Sequence, residues 1–384
     1  MSDTRTVRLE IKKLVAGGDG LAFLDGKAVF VPLALPGETV EARLNGGRRD
    51  YATAELVEVV EASPHRVAPP CPIYAQCGGC NLQHLSYQKQ VEEKGLILAE
   101  ALRRTGGLDL GSVSVLGSVP FAYRNRLQLH LSPEGRVGFM RRSATSVVEA
   151  PGCPIAVPVA QAWIEARAGT TQARDELAPH LPGRDRFLLF GYGDELWVEG
   201  RDGEVELRVA GEPIRFHVAG FFQSNLHMLE RLIPELLEGL SGESAADLYC
   251  GVGLFAHFLA PRFAHLTCVE QDRRALALAR RNVGGAGREF SAMAVEKWIA
   301  SPGAARRFDC VLVDPPRAGL SASVRAWLAR ARLRSLLYVS CDPVTLARDL
   351  GDLVRSGYRL ESLRGFDFYP QTSHVESYAR LTWS

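Results

Sequence analysis

Residues 243–263, ESAADLYCGVGLFAHFLAPRF, decide the fold of the C-terminal half of the chain. The apolar run that ends at Tyr249-Cys250 predicts a buried strand, and the residues from Gly253 onward predict a helix that follows it at once. Glycines at positions 251 and 253 let the backbone approach a ligand and expose the amino terminus of the helix. The stretch therefore predicts a strand–turn–helix unit that binds a nucleotide.

The segments after this unit continue the alternation of strand and helix. The predicted strands are 265–272, 307–316, 335–343, 358–368 and 374–383. The last two follow one another without a helix between them, so the final strand must run antiparallel. This pattern predicts an α/β fold in which a doubly wound, Rossmann-like sheet occupies a C-terminal domain over residues 215–384.

Two further domains are predicted before residue 215. Five short strands with Gly, Pro and Asn turns in residues 1–62 are typical of an OB-like β-barrel. The proline-rich linker SPHRVAPPCP, residues 63–72, opens a β-rich central domain that extends over residues 63–214. Within it, residues 84–105 predict an amphipathic helix, which we expect to pack on the C-terminal domain.

Composition limits the partners. Of the 384 residues, 45 are Lys or Arg and 44 are Asp or Glu, so the net charge of +1 gives no general support for nucleic acid. Arginine is dense in residues 121–142 and 304–334, however, and its planar fork suits phosphate. No apolar run approaches the roughly 20 residues that span a bilayer, and the N-terminus lacks a secretory apolar region. We expect a cytoplasmic protein with no membrane partner.

The ligand of the glycine turn is ambiguous from its glycines alone. Gly251-x-Gly253-x-x-Ala256 also matches the dinucleotide fingerprint, and Glu270 ends the next strand, where an acid can bind ribose hydroxyls. Both NAD and S-adenosylmethionine carry such a ribose. Asp314-Pro315-Pro316 at the end of the fourth strand and the closing pair of strands favour S-adenosylmethionine, because class I methyltransferases end in this way.

Three chemically active side chains are predicted to meet at the ligand edge of the sheet. Asp314 and Cys341 end neighbouring strands, and Glu376 begins the antiparallel one. Methyl transfer to O or N needs no cysteine, whereas C5 of a pyrimidine becomes nucleophilic only after a thiolate adds to C6. A base must then remove the C5 proton before the thiolate leaves. The residues therefore predict Cys341 as nucleophile and Glu376 as base.

The Asp-Pro-Pro motif narrows the target base. Adenine-N6 enzymes follow it with a stacking aromatic residue, whereas Arg317 follows it here. Cytosine-C5 RNA enzymes place a cysteine after the first proline, where this chain has Pro316. Uracil is thus favoured. The remaining cysteines of this half, Cys250, Cys268 and Cys310, are predicted to be core residues.

Four other cysteines form a spaced group. Cys71, Cys77 and Cys80 are separated by five and by two residues, and Cys153 precedes a proline far downstream. Four thiolates suit either zinc or an iron–sulfur cluster. The asymmetric spacing is not that of a zinc ribbon, which favours iron and sulfide.

The chain resembles the RNA uracil-5-methyltransferase family, in the branch that acts on 23S ribosomal RNA, and its N-terminal part resembles the RNA-binding TRAM domain. The motifs that carry the resemblance are FQSN (222–225), DLYCGVG (247–253), DPPRAGL (314–320), VSCDP (339–343) and QTSHVE (371–376). It implies that Gln223, Tyr249, Glu270 and Asp314 contact the donor and that the four spaced cysteines hold a [4Fe–4S] cluster. Leu254 departs from the family, where many members carry an Asn that touches the donor.

The function implied is S-adenosylmethionine-dependent formation of 5-methyluridine in RNA. We expect 23S ribosomal RNA to be the substrate and partner, and we expect the protein to be a monomer. The target uridine would have to flip out to reach Cys341. Two alternatives remain. A transfer-RNA enzyme of the same chemistry is disfavoured because that branch generally lacks the barrel and the cluster. A non-catalytic RNA-binding protein is disfavoured because Cys341 and Glu376 are both present.

Overall fold

The structure is a computed structural model that describes residues 5–142 and 144–383. Within these residues the strands form sheets of six, five, two and eight strands, in chain order. Helices cover the eight-stranded sheet, so the mixed α/β class predicted from the sequence is confirmed. No helix of the described residues is both long and apolar enough to cross a membrane.

The N-terminal sheet has one strand more than predicted. Its strands are β1 (Thr6–Glu10), β2 (Lys13–Leu14), β3 (Gly20–Leu24), β4 (Lys27–Val31), β5 (Thr39–Gly47) and β6 (Tyr51–Glu61), in the order β1-β5-β6-β4-β3-β2. The first predicted strand is split because buried Ile11 bonds through its backbone to Gly37 and Glu38 instead of a neighbouring strand. The six strands form the N-terminal sheet of the predicted OB-like region, and within the described residues no pairing of β1 with β2 closes this sheet into a barrel.

The central region contains one long helix and two small sheets. Its elements are α1 (Tyr87–Ala101), β7 (Val115–Leu116), β8 (Arg126–Leu131), β9 (Val137–Met140), β10 (Val147–Glu149), α2 (Pro158–Glu165), α3 (Gln172–Leu177), β11 (Arg186–Tyr192), β12 (Glu195–Val198), β13 (Glu204–Val209) and β14 (Glu212–His217). Helix α1 begins later than predicted because Leu85 and Ser86 bond to the linker at Arg66 and His65. It continues as a π turn, Leu102–Gly106, that ends at left-handed Gly107.

The C-terminal region builds the large sheet. Its elements are α4 (Leu226–Leu237), β15 (Gly242–Leu248), α5 (Leu254–Leu259), β16 (Phe263–Val269), α6 (Arg273–Val283), β17 (Arg288–Ser291), α7 (Val295–Trp298), β18 (Cys310–Val313), α8 (Ala322–Ala331), β19 (Ser335–Ser340), α9 (Pro343–Arg355), β20 (Tyr358–Phe366) and β21 (Glu376–Trp383). The strand order is β17-β16-β15-β18-β19-β21-β20-β7. As predicted, β21 runs antiparallel to both of its neighbours. The edge strand β7 comes from the central region, so the sheet draws on residues before 215.

Helix α1 joins the central region to the large sheet through α9. Apolar residues of α1 and its π turn, among them Leu98 and Leu102, share a buried core with Leu346 and Leu350 of α9. At the closest point Gly351 of α9 lies against Gly106, and a Cβ added to Gly351 would lie 2.9 Å from the Gly106 Cα and closer still to its carbonyl oxygen. The two backbones can approach this far only because both residues lack a side chain.

We predict that Gly351→Ala destabilises the protein by about 1–3 kcal/mol, because the added methyl group must push the two segments apart. Gly303→Ala is the matched control, since the nearest atoms to a Cβ there are 3.4 Å away and no strained backbone is involved. Denaturant unfolding of both variants measures the difference. Equal stability of the two variants would contradict the close packing of α1 on α9.

Candidate active site

The pairing of β19 with β21 brings Cys341 and Glu376 together. The antiparallel register pairs Ser340 with Ser377, so the next residues toward the strand end are Cys341 and Glu376. Opposite residues of an antiparallel pair present their side chains on the same face, within about 5.5 Å at Cβ. The thiol and the carboxyl predicted from the sequence therefore lie at the same end of these strands, close enough for Glu376 to raise the pKa of Cys341.

The turn after β19 is fixed by helix capping. The Asp342 carboxylate accepts hydrogen bonds from the backbone N–H groups of Val344 (3.0 Å) and Thr345 (2.8 Å), and Pro343 opens α9. A capping acid and a first-turn proline are the signals that begin a helix. Cys341 is thereby held between a strand and a helix amino terminus, which favours a negative charge nearby.

Burial dominates the electrostatics of this pair. It raises the pKa of the Cys341 thiol to about 12, with further contributions from Glu376 and Asp314, while the Arg317 guanidinium acts in the opposite direction. Burial together with Asp314 raises the pKa of Glu376 to about 8, and burial raises that of Asp314 to about 7. The pKa values of both carboxyls thus lie near neutral pH, where general acid–base catalysis is most efficient.

The turn after β15 forms the second half of the site. Tyr249 has φ +65°, in the left-handed region, and Gly253 caps α5 with φ +78°. The Gly251 N–H donates to the Glu270 carboxylate (3.1 Å), and a Cβ at Gly251 would meet nothing within 4 Å. Gly251 therefore borders open space beside the acid predicted to bind a ribose.

The carboxylate of Asp247 is buried in this half of the site. The side chain is 1% exposed, and within the described residues neither carboxylate oxygen has a hydrogen-bond partner. Burial, followed by the nearby charge of Asp314, raises its pKa well above the usual range, while a weak contact with the backbone N–H of Ala256 acts in the opposite direction. A buried polar group without a partner is rare and calls for an explanation, and a bound polar ligand supplies one.

Gln223, also predicted to contact the donor, lies next to a core cluster that includes residues of the same turn. Gln223 is buried just before α4, and its neighbour Phe222 packs in one core cluster with Val252 and Leu254. Leu254, the departure from the family pattern, is itself buried in that cluster. Its side chain contributes to the packing of that cluster.

Sequence reasoning missed several side chains around the thiol. Burial and then Glu376 raise the pKa of Tyr369, which also senses Cys341 and the cations Arg124 and Arg317. The Arg124 guanidinium lies 5.7 Å from the Tyr369 ring centroid, within reach of a cation–π contact. The high arginine density of residues 121–142 includes Arg124 without distinguishing it from its neighbours, and no sequence pattern indicated a role for Tyr369.

The four spaced cysteines lie in one neighbourhood. Cys71, Cys80 and Cys153 pack in the same small core cluster, and burial raises the pKa of Cys80 to about 11. Burial and then Cys80 raise the pKa of Cys153 to about 12, with Cys77 contributing. Within residues 5–142 and 144–383, no three His, Cys, Asp or Glu side chains are placed to bind one metal ion.

The chain is similar to several known proteins. Three family models match the chain: TRAM domain over residues 4–57, methyltransferase small domain over 221–331, and tRNA (uracil-5-)-methyltransferase over 304–383. The 23S rRNA (uracil(1939)-C(5))-methyltransferase RlmD of Pseudomonas putida is 34% identical over 97% of this chain and 92% of its own. The chain belongs to the RNA uracil-5-methyltransferase family. An RNA methyltransferase of Treponema denticola is also 34% identical, over 96% of this chain and 97% of its own.

A solved structure of the family matches the whole fold. The Pyrococcus abyssi tRNA (uracil-54, C5)-methyltransferase, in complex with S-adenosyl-L-homocysteine, has a TM-score of 0.76 and 26% identity, and covers 98% of this chain and 99% of its own. The match includes the N-terminal sheet and the cysteine-bearing segment. The presence of an N-terminal sheet therefore does not by itself disfavour a transfer-RNA enzyme.

We predict opposite effects of two substitutions on the reactivity of Cys341. At about pH 9, above the pKa of Glu376, Glu376→Gln removes a negative charge and lowers the thiol pKa, so alkylation by iodoacetamide becomes faster. Arg317→Ala removes the opposing positive charge and makes alkylation slower. Mass spectrometry of the peptide that contains Cys341 measures both rates. Equal rates in the two variants would contradict the electrostatics of the site.

Proposed function

We propose that this protein transfers a methyl group from S-adenosylmethionine to C5 of a uridine in RNA, and that the substrate is 23S ribosomal RNA. The observation that carries the proposal is the placement of Cys341 opposite Glu376 at the end of β19 and β21. A thiol beside a base is the arrangement that C5 chemistry of a pyrimidine needs and that O- or N-methylation does not.

Cys341 is proposed as the nucleophile. Its thiolate adds to C6 of the uracil ring, and the ring electrons move onto the C4 carbonyl and C5, which makes C5 nucleophilic. Because its pKa is near 12 in the buried site, the thiol must first lose its proton, and Arg317 and the amino terminus of α9 favour the resulting negative charge.

Glu376 is proposed as the base. After C5 has accepted the methyl group, the Glu376 carboxylate takes the C5 proton, the C5–C6 double bond re-forms, and the Cys341 thiolate leaves. The pKa of about 8 suits a group that must accept a proton and return it to solvent in each turnover. Asp314, which raises that pKa, faces the same pocket.

The residues around the glycine turn fit the methyl donor. S-adenosylmethionine supplies an electrophilic methyl group on a sulfonium cation. Burial raises the pKa values of Asp247 and Asp314, and the sulfonium cation of the donor would favour their charged forms. Glu270 can accept hydrogen bonds from ribose hydroxyls. Gly251 and Gly253 leave the backbone accessible, and Tyr249 and Gln223 complete the proposed donor contacts.

The substrate assignment rests on the relatives, with one competing candidate. The 34% identity to the Pseudomonas putida RlmD favours 23S ribosomal RNA, whereas the match to the Pyrococcus abyssi enzyme favours transfer RNA. We propose that residues 1–62 and the central domain, 63–214, hold the RNA, and that residues 215–384 carry the reaction. The protein is proposed to act as a monomer in the cytoplasm, on a uridine flipped out of its stack.

We also propose that Cys71, Cys77, Cys80 and Cys153 hold a [4Fe–4S] cluster. Cys71, Cys80 and Cys153 pack in one small core cluster, and Cys77 contributes to the raised pKa of Cys153. Because the side chains as described are not placed to bind one metal ion, the support for the cluster is the spacing of the cysteines in the sequence and the family resemblance. The methyl transfer needs no electron, so the proposed role is structural. The cluster would tie residues 71–80 to the segment around residue 153.

We predict that Cys341→Ala abolishes methylation and that Glu376→Gln accumulates a covalent, methylated enzyme–RNA adduct. Addition and methyl transfer do not need the base, whereas elimination of the thiolate does. Wild-type enzyme with 5-fluorouridine RNA should form a similar adduct, because fluorine cannot leave as a proton does. Denaturing gels with labelled RNA detect both species. Normal turnover by Glu376→Gln would exclude the base assignment, and absence of every adduct would exclude the nucleophile assignment.

We predict that protein purified without oxygen is brown and contains iron and sulfide. Cys153→Ser should lose both the iron and much of the solubility, because this ligand joins two distant segments. Cys310→Ala, which changes a buried core cysteine outside the group, is the control and should retain iron. Metal analysis showing one zinc per chain and no iron would overturn the cluster assignment.

A further inference from the structure

A buried ion pair joins α1 to the hairpin that precedes the proposed base. Lys94 and Asp367 form this pair, and both side chains are completely buried. The second Asp367 oxygen accepts a hydrogen bond from the Tyr87 hydroxyl (3.0 Å), and the Lys94 ammonium also donates to the Tyr369 carbonyl oxygen (3.0 Å). These bonds join α1 to the connection between β20 and β21 at Asp367 and Tyr369.

Stability alone does not account for such a pair. Taking two charges out of water opposes folding, and apolar replacements of buried ion pairs are often neutral or stabilising. The pair links parts of the chain that lie far apart in sequence, on the central region and at the end of the large sheet. What it does determine is geometry, because an ion pair with both ends saturated by hydrogen bonds has one arrangement.

A second set of bonds to this hairpin lies one turn earlier on α1. Gln90 and Gln371 bond reciprocally: the Gln90 amide nitrogen donates to the Gln371 side-chain oxygen (2.9 Å), and the Gln371 backbone N–H donates to the Gln90 oxygen (2.9 Å). Gln371 has φ +69° and is 2% exposed. A left-handed conformation in a buried non-glycine residue persists only where its surroundings impose it.

A third set of bonds to the hairpin comes from the residues directly after Cys80. The Asn81 side chain accepts a hydrogen bond from the Ser373 backbone N–H (2.9 Å) and donates to the Ser373 hydroxyl (3.1 Å). The backbone N–H groups of Asn81 and Leu82 both donate to the Gln371 carbonyl oxygen (3.1 and 2.9 Å). The hairpin is therefore held by residues 81–94 on both sides of its strained residue.

We propose that residues 81–94 act as a clamp that sets the position of the catalytic base, with Lys94 and Gln90 as its positioning residues. The clamped segment, 367–375, ends immediately before Glu376 and carries Tyr369 beside Cys341 and Glu376. The clamp keeps the carboxylate where the C5 proton will be, while Cys341 is fixed separately by β19 and α9. This inference rests on the proposed function.

The clamp predicts a specific kinetic defect. Loosening the hairpin displaces Glu376 but leaves the thiol and the donor turn in place, so elimination slows more than addition. A displacement of about 1 Å lowers a rate by up to roughly a hundredfold. The covalent methylated adduct should then accumulate on ordinary RNA, as it does when the base itself is removed.

Two variants test the clamp. Lys94→Met/Asp367→Asn neutralises the pair without leaving a lone buried charge, and Gln90→Leu removes the second set of bonds without touching any charge. We expect both to lower kcat by roughly tenfold to a hundredfold, with visible adduct and with KM for RNA within about threefold of the wild type. Tyr87→Phe, which removes one hydroxyl, should show a smaller effect of the same kind and decides the matter if the others do not fold.

Arg184→Met/Glu199→Gln is the matched control, because it neutralises a part-buried ion pair of the central region that, within the described residues, bonds to neither the hairpin nor residues 81–94. It should lose stability without accumulating adduct. Folded clamp variants that release product with the wild-type balance of adduct and product would overturn the clamp, as would equal adduct in the control. If wild-type enzyme forms no adduct with 5-fluorouridine RNA, the proposed function itself fails, which is a separate result.

Discussion

The antiparallel insertion of β21 between β19 and β20 is the constraint on which the active site depends. A wholly parallel sheet would place the start of its last strand at the edge opposite the ligand. Because β21 is reversed, its first residue, Glu376, lies at the same edge as the last residues of the parallel strands. The register of Ser340 with Ser377 then brings the carboxyl to the same end of the strands as Cys341, and the clamp holds the segment that precedes it.

The pocket formed in this way is rich in acids that are partly neutralised by burial. Glu376 and Asp314 have raised pKa values, and the thiol beside them has one near 12. The guanidinium groups of Arg124 and Arg317 oppose the negative charge that these groups would carry when ionised. Ionising these buried groups is unfavourable in the empty site. The positive charge of the donor and the polar groups of a uracil ring would compensate part of that cost, so the site is suited to bind both.

Much of this arrangement could be predicted from the sequence, and the reason is geometric. The ends of parallel strands share an edge, so Asp314 and Cys341 could be grouped from strand assignments alone, and two successive strands implied the reversal that adds Glu376. The contacts of Arg124, Lys94 and Gln90 could not be predicted. They come from elements far away in the chain, and no periodic pattern encodes which helix packs on which hairpin. The split at Ile11 and the edge strand β7 were missed for the same reason, since tertiary backbone bonds determine both.

The central region thus has a second role besides its proposed contact with RNA, since α1 and the residues after Cys80 hold the hairpin beside the base. The central claim remains that the chain makes 5-methyluridine in ribosomal RNA through Cys341. Mapping 5-methyluridine in ribosomal and transfer RNA from a strain that lacks the gene tests it most directly. We predict that a 5-methyluridine disappears from 23S ribosomal RNA and returns with the wild-type gene but not with Cys341→Ala. Loss from transfer RNA alone, or no loss from either RNA, would contradict the account.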